Sequence, residues 1–165
     1  MNPTTHATVV LTGATAVLIR GPSGAGKSRL AFDLLRAAEQ GALPFARLVA
    51  DDRVYLEAHN GRLLAQPPSE IAGLIEVHGL GIRRVPFEPL AVVRQVIDLA
   101  ATDAARHPEP SVTTVAGITL PRLAVAAGMA ALPLVLAILD RDNGQSDRPR
   151  AYRDTASALV RAGNC

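Results

Sequence analysis

The chain has 165 residues, 48% of them apolar and 19% charged, which fits one folded domain over residues 1–165 and excludes a disordered chain. Aromatic residues make up 3% and Trp is absent, so the core must come from Ala, Val, Leu and Ile, and the scarcity argues against stacking platforms for single-stranded nucleic acid. A net charge of +2, carried by arginines scattered along the chain, argues against nucleic acid as the partner.

In chain order, Met1-Asn2-Pro3-Thr4-Thr5-His6 has no basic n-region and no apolar h-region, so no signal peptide is expected. Val9–Leu11 and Ala16–Arg20 are short apolar runs around Thr12-Gly13-Ala14-Thr15 and read as a hairpin. The second run feeds Gly21-Pro22-Ser23-Gly24-Ala25-Gly26-Lys27-Ser28, which fits the phosphate-loop pattern G-x-x-x-x-G-K-[ST]. Backbone N–H groups of such a loop cradle phosphates. Of the 17 basic residues, Lys27 is the single lysine. It stands where a compact ammonium on a flexible stem is wanted against β- and γ-phosphates, and a planar guanidinium fits poorly there. Gly-rich turns can open helices without binding anything, but the strand before and the helix after this one are the context that binding requires. A nucleoside triphosphate is the expected ligand.

The helix is predicted from Ser28 to about Gln40, with Leu30, Ala31, Leu34, Leu35 and Ala38 on one face and Gly41 as its stop. Glu39–Phe45 reads as a longer loop. Arg47–Ala50 is the next apolar run, and it ends at Asp51-Asp52. Carboxylates at the C-terminal end of a strand lie where open α/β sheets bind ligands. One of the pair can help hold Mg²⁺, directly or through water, and its neighbour can accept a proton from an attacking hydroxyl. A solvated Asp-Asp turn is the plainer alternative. Val54–Ala58 and Arg62–Gln66 flank His59-Asn60-Gly61, a strong hairpin signal, and Pro67-Pro68-Ser69 is a loop.

Leu74–Val77 and Ile82–Val85 are short strands around His78-Gly79-Leu80-Gly81, and Glu76 is a plausible oxygen ligand for Mg²⁺. Leu90–Leu99 alternates loosely and reads as a strand, Thr102–Ser111 is the best candidate for a mobile loop, and Thr113–Val115 and Leu120–Val125 are further strands. Leu123–Leu139 carries no charge, but Gly128 and Pro133 interrupt it, so a strand, a turn and a short buried segment are expected rather than a membrane span. Ser146 or Asp147 can cap a last helix, with Pro149 in its first turn and Gly163 as its stop. The single cysteine, Cys165, allows no internal disulfide, and a soluble, cytoplasmic protein is expected. Arg20, Arg83 and Arg84 can form a patch for an acidic partner, although solvated surface arginines are the simpler reading.

Taken together, three segments resemble a known family. Gly21–Ser28, Leu48-Val49-Ala50-Asp51-Asp52 and Leu74-Ile75-Glu76-Val77-His78-Gly79-Leu80-Gly81-Ile82 are similar to the phosphate loop, the L-V-A-D-D stretch and the E-[IV]-R-G-L-G-I signature of HPr kinase/phosphorylase. His6-Ala7-Thr8-Val9-Val10 is similar to the family's H-G-x-L-V element at the same distance from the loop. The resemblance runs from about His6 to Val125 and is to the catalytic domain alone. It implies an α/β fold, a P-loop kinase-type core with a mixed, strand-rich sheet as in the HPr kinase and PEP carboxykinase group. The many short hairpin strands independently argue against an all-parallel doubly wound sheet.

The resemblance further implies an enzyme that uses ATP and Mg²⁺ to phosphorylate a serine of the carrier protein HPr, and in reverse removes that group with inorganic phosphate, releasing pyrophosphate. It implies that Lys27 contacts the β- and γ-phosphates, that Ser28 and Glu76 hold the metal with Asp51 beside them, and that Asp52 is the base. His6 would position or polarise Asp52, and Arg106 would steady the transferring group. Homo-oligomers, commonly hexamers, go with the family. Two departures stand out. His78 replaces the signature arginine, and Ala126-Ala127-Gly128-Met129 lacks the Pro-Gly-Arg-Asn character of the segment that the family ties to dephosphorylation. Competing readings are a P-loop kinase for another protein or a small metabolite, and a nucleotide-gated binding module without catalysis. A guanine-specific GTPase is disfavoured, because its N-K-x-D motif needs a second lysine.

Overall fold

The computed structural model describes residues 3–146. Strands β1 (Thr8–Thr12) and β2 (Thr15–Arg20) pair antiparallel, with Thr8 opposite Ile19 and Thr12 opposite Thr15, as the hairpin reading requires. After the phosphate loop comes helix α1 (Lys27–Glu39); Leu30, Ala31 and Leu34 are buried as expected, but Ala37 completes the buried stripe, while Leu35 and Ala38 are only half-buried. Strand β3 (Ala46–Ala50) returns antiparallel to β1, so it runs in the same direction as β2. Strands β4 (Tyr55–His59) and β5 (Arg62–Gln66) form the second expected hairpin. Its two turn residues, Asn60 and Gly61, have φ of 49° and 73°, the left-handed backbone that a two-residue hairpin turn needs.

Next come a short 3₁₀ turn at Ser69–Ile71, where sequence suggested only loop, and the separate hairpin of β6 (Leu74–Val77) with β7 (Gly81–Arg84). The loosely alternating segment becomes β8 (Ala91–Leu99), followed by β9 (Ser111–Val115) and β10 (Ile118–Val125).

Strand β8 organises the main sheet, whose order is β3-β1-β2-β8-β10-β9, with β5 and β4 branching from β8. On one edge it pairs parallel with β2; on the other its first residues pair antiparallel with β5 and its last ones parallel with β10. Its alternation is loose because side chains on both of its faces are buried, as the run of buried residues from Gln95 to Ile97 shows. The sheet is mixed and strand-rich, as expected. One face packs Val9, Leu18, Val49, Leu63, Val93 and Val96 into a single cluster, while α1 packs against β1, β2 and β3. The consequence for function is directional. Strands β2, β3, β8 and β10 all run the same way, so the phosphate loop, Asp51-Asp52 and the segments after Leu99 and Val125 emerge at one end of the sheet.

Two expectations need correction. The uncharged stretch after β10 is not a short buried segment: a turn over 126–130 leads into helix α2 (Ala131–Ser146). Pro133 does not interrupt the helix, because it stands in the first turn, where proline removes no intrahelical hydrogen bond. Helix α2 also runs through Ser146, so this residue does not start a helix; the remainder of the helix expected up to Gly163 lies outside the described residues. A first compact unit ends at Leu132, and a second begins at Pro133. No helix among the described residues is long and apolar enough to cross a membrane.

Arg20 is likewise not part of an open basic patch. Its guanidinium donates twice to Asp98, at 2.7 and 2.8 Å, and Arg122 donates to the same carboxylate and to Asp103. The last pair ties the start of the loop over 100–110 to β10. Burial alone would raise the Asp98 pKa, but hydrogen bonds from Arg20 and then Arg122 outweigh it and hold the carboxyl below its ordinary 3.8. A carboxyl with a depressed folded-state pKa stabilises the fold above its unfolded pKa and loses that contribution as pH falls through the folded value. Asp98→Asn should therefore lower unfolding free energy at pH 7 by about 1–3 kcal/mol, and the difference from wild type should shrink as the pH is taken below 3.8. Urea unfolding at pH 7 and at low pH checks this; a deficit that stays constant across that range would refute it.

Candidate active site

Gly26 caps the start of helix α1; its φ of 95° turns the chain sharply, and it offers no side chain to bond the first turn. The first N–H groups of α1 are thus left for an anion, on the positive end of the helix dipole. Gly21 is fixed sterically: at its φ of 151° a Cβ would sit 2.9 Å from the Leu99 carbonyl oxygen. The loop is therefore threaded tightly against the end of β8. Lys27 is 7% exposed, and its Nζ donates to the carbonyls of Gly21 and Pro22 at 3.0 and 3.1 Å. An ammonium has three donors, so one remains for a phosphate.

The paired aspartates separate completely. Asp51 is 5% exposed; its Oδ1 accepts from Ser28 Oγ at 2.7 Å and from Thr8 Oγ1 at 2.8 Å, and its Oδ2 accepts from the backbone N of Glu76 at 3.1 Å. One carboxylate thus joins β1, the phosphate loop and β6. Asp52 points the other way, with its side chain 65% exposed and its Oδ1 3.1 Å from His6 Nε2. Its φ of 66° is left-handed, a conformation that Asp tolerates better than most residues and that aims successive side chains apart.

His6 is held by a bridge between Thr5 and Val54, which brings the N-terminal segment across to the residues just after Asp52. A cleft of about 470 Å³ collects the result: Lys27 and Ser28 from the loop, His6 and Asp52, and Glu76 with His78 from the β6 strand end. The loop residues Ser23, Gly24 and Gly26 line it as well. Arg106 is not brought here. It is exposed in the loop between β8 and β9 and lines neither this cleft nor the other one that borders the phosphate loop.

Among the described residues, no three His, Cys, Asp or Glu side chains gather into a metal cluster. The oxygens available are the Ser28 hydroxyl, the unused side of Asp51 Oδ2, and exposed Glu76. That sparse set fits Mg²⁺, which keeps several waters and takes phosphate oxygens rather than a full protein cage.

Thr8, which sequence reasoning missed, is a partner of the candidate site through its bond to Asp51. It is fully buried, but a threonine in a strand is unremarkable, and only the tertiary pairing with Asp51 marks it out. Asp51→Ala should cost about 2–4 kcal/mol, because it orphans the Thr8 hydroxyl and the Glu76 N–H together, whereas Thr8→Val should cost about 1 kcal/mol. Chemical denaturation of both variants tests the ranking, and equal losses would contradict it.

The chain is similar to known proteins in sequence and fold. The family model of the HPr serine kinase C-terminal domain matches residues 2–88 of the 165. The HPr kinase/phosphorylase of Clostridium tetani is 35% identical over 104 residues, which is 63% of this chain and 31% of that protein. The HPr kinase/phosphorylase of Halalkalibacterium halodurans is 42% identical over 86 residues, 50% of this chain and 26% of that protein. The chain thus spans about a quarter to a third of the length of these curated relatives. The solved structure of the Hpr(Ser) kinase/phosphatase from Coxiella burnetii aligns with a TM-score of 0.68 at 26% identity, over 88% of this chain and 98% of that one.

Proposed function

Since the chain belongs to the HPr serine kinase C-terminal domain family, we propose that it transfers the γ-phosphoryl group of ATP, with Mg²⁺, to a serine of an HPr-type phosphocarrier protein. One observation carries the reading: Asp52, paired with His6 at 3.1 Å, opens into the same cleft as Lys27 and Ser28. A proton acceptor beside a phosphate cradle is what transfer to an alcohol needs beyond charge neutralisation.

In this reading the serine oxygen attacks the γ-phosphorus, the bond from that phosphorus to the β–γ bridging oxygen breaks, and ADP departs. The hydroxyl proton passes to the Asp52 carboxylate. His6, with Nε2 3.1 Å from Asp52 Oδ1, would steady the carboxylate so that it faces the incoming alcohol. Lys27 draws negative charge from the phosphates, and α1 presents its free N–H groups to them. Ser28 and Glu76 would hold Mg²⁺, with Asp51 orienting Ser28; such a metal would supply charge neutralisation for the phosphates. In the opposite direction, protonated Asp52 would return its proton to the serine oxygen while inorganic phosphate takes the phosphoryl group as pyrophosphate.

Mass spectrometry of HPr incubated with the protein, ATP and Mg²⁺ tests the proposal. A gain of one phosphate on a serine is expected, and its loss after addition of excess phosphate would report the reverse reaction. ATP consumption without HPr labelling would instead point to a different acceptor, and no consumption at all would leave nucleotide binding without catalysis.

A further inference from the structure

A second cleft, of about 520 Å³, also borders the phosphate loop and extends to Leu99 and Val125 at the ends of β8 and β10. Beyond Ser23 and the loop glycines, the two clefts share one residue, Arg29. We propose that Arg29 is a further phosphate-binding residue, which Asp33 holds beside the loop and gives up to the phosphates when a nucleotide enters; the inference rests on the kinase reading above.

Its place in the helix points to an anion. Arg29 sits in the first turn of α1, which contains no acidic residue and already carries Lys27. Cations at the positive end of a helix dipole work against it, so the pair disfavours this turn unless negative charge is brought there. Phosphates bring that charge. The inventory of side chains agrees. Lys27 and Arg29 are the only lysine or arginine residues lining either cleft, against the acids Asp33, Asp52 and Glu76. A triphosphate carries more negative charge than one ammonium neutralises. Arg106 lines neither cleft, which leaves Arg29 as the guanidinium within the site.

The bond that now holds Arg29 is weak enough to exchange. Its Nε donates to both carboxylate oxygens of Asp33, at 3.0 and 3.2 Å, while its two Nη atoms bond nothing among the described residues. The Arg29 side chain is 71% exposed, so water screens the attraction. Order along the helix weakens it further, since a cation four residues before an acid opposes the dipole. A phosphate instead offers the guanidinium two parallel N–H···O bonds and a larger charge. Asp33 is thus a counter-ion that keeps the fork near the loop at little cost to its release.

Calorimetric titration of the full chain with ATP and Mg²⁺ tests this in wild type, Arg29→Gln, Asp33→Asn and the double variant. Both side chains belong to a surface pair, so all four proteins should melt at nearly the same temperature without nucleotide. Arg29→Gln should lose about tenfold in ATP affinity, the worth of one charge-assisted contact. Asp33→Asn should gain about twofold, the strength of the exposed pair that no longer competes. That gain should vanish in the Arg29→Gln background, because Asp33 acts through Arg29. Unchanged ATP binding by Arg29→Gln overturns the proposal, as does no gain from Asp33→Asn. A gain of equal size in both backgrounds also overturns it, since that is the plain effect of removing a negative charge near the ligand. Those three results leave the kinase reading intact, whereas a wild type that binds no ATP removes both.

Discussion

Asp52→Asn should lower the turnover of HPr phosphorylation by about 10²–10⁴-fold, the range lost when a positioned general base is removed. The substitution isolates chemistry from folding. Asn tolerates the left-handed backbone at φ 66° as well as Asp does, and the side chain is 65% exposed, so little packing is disturbed. ATP affinity and the melting temperature should stay near wild type, because Asp52 touches neither the phosphate loop's hydrogen bonds nor the core. Steady-state kinetics with HPr as the varied substrate, beside calorimetric ATP binding, separates the two effects. A variant that keeps wild-type turnover would remove Asp52 from the mechanism and leave the cleft as a binding site.

The second large effect is expected at Lys27. Lys27→Ala removes a desolvated cation aimed at the transferring group, and rate losses of about 10²–10³-fold follow from deleting one such stabilising donor. It also deletes the bonds to the Gly21 and Pro22 carbonyls that hold the loop closed on itself, so ATP affinity should fall with the rate. Lys27→Arg provides the sharper test. It keeps the charge, but a planar fork cannot satisfy two loop carbonyls and a phosphate from one compact centre, so activity should not return. Full rescue by arginine would show that charge alone suffices there, contrary to the geometry described.

Much of the catalytic cleft was legible because its parts are local. A phosphate loop is a contiguous backbone device, and Gly21–Ser28 states it in eight letters between a strand and a helix. Asp51 and Asp52 drew attention by standing at a strand end, but sequence alone could not divide their roles. The structure separates them through burial, since Asp51 is sealed by Ser28, Thr8 and the Glu76 N–H while Asp52 faces His6 in the open cleft. Arg106 shows the opposite case. A loose resemblance assigns it to the site, yet a loop residue has no local pattern that fixes where it points, and in the structure it is exposed and lines neither cleft.

The hairpins were fixed by local signals, Asn60-Gly61 above all, because a two-residue turn dictates the pairing of its neighbours without help from the rest of the chain. Partners distant in sequence were not. Strand β8 joins β2, β5 and β10 across gaps of tens of residues, and nothing in Ala91–Leu99 encodes which of them it meets. Salt-bridge partners such as Arg20, Asp98 and Arg122 likewise look like ordinary surface charges until the sheet lines them up. The amino-acid sequence by itself determined the phosphate cradle, the alternation of strands and α1, and the candidate acid groups, since backbone conformation and side-chain period act over a few residues. Which aspartate is buried, where His6 and Thr8 fall, and that a second cleft adjoins the first emerge from the folded arrangement. Those depend on packing between segments far apart in the chain, where the burial of the whole core, and not any local preference, selects the arrangement.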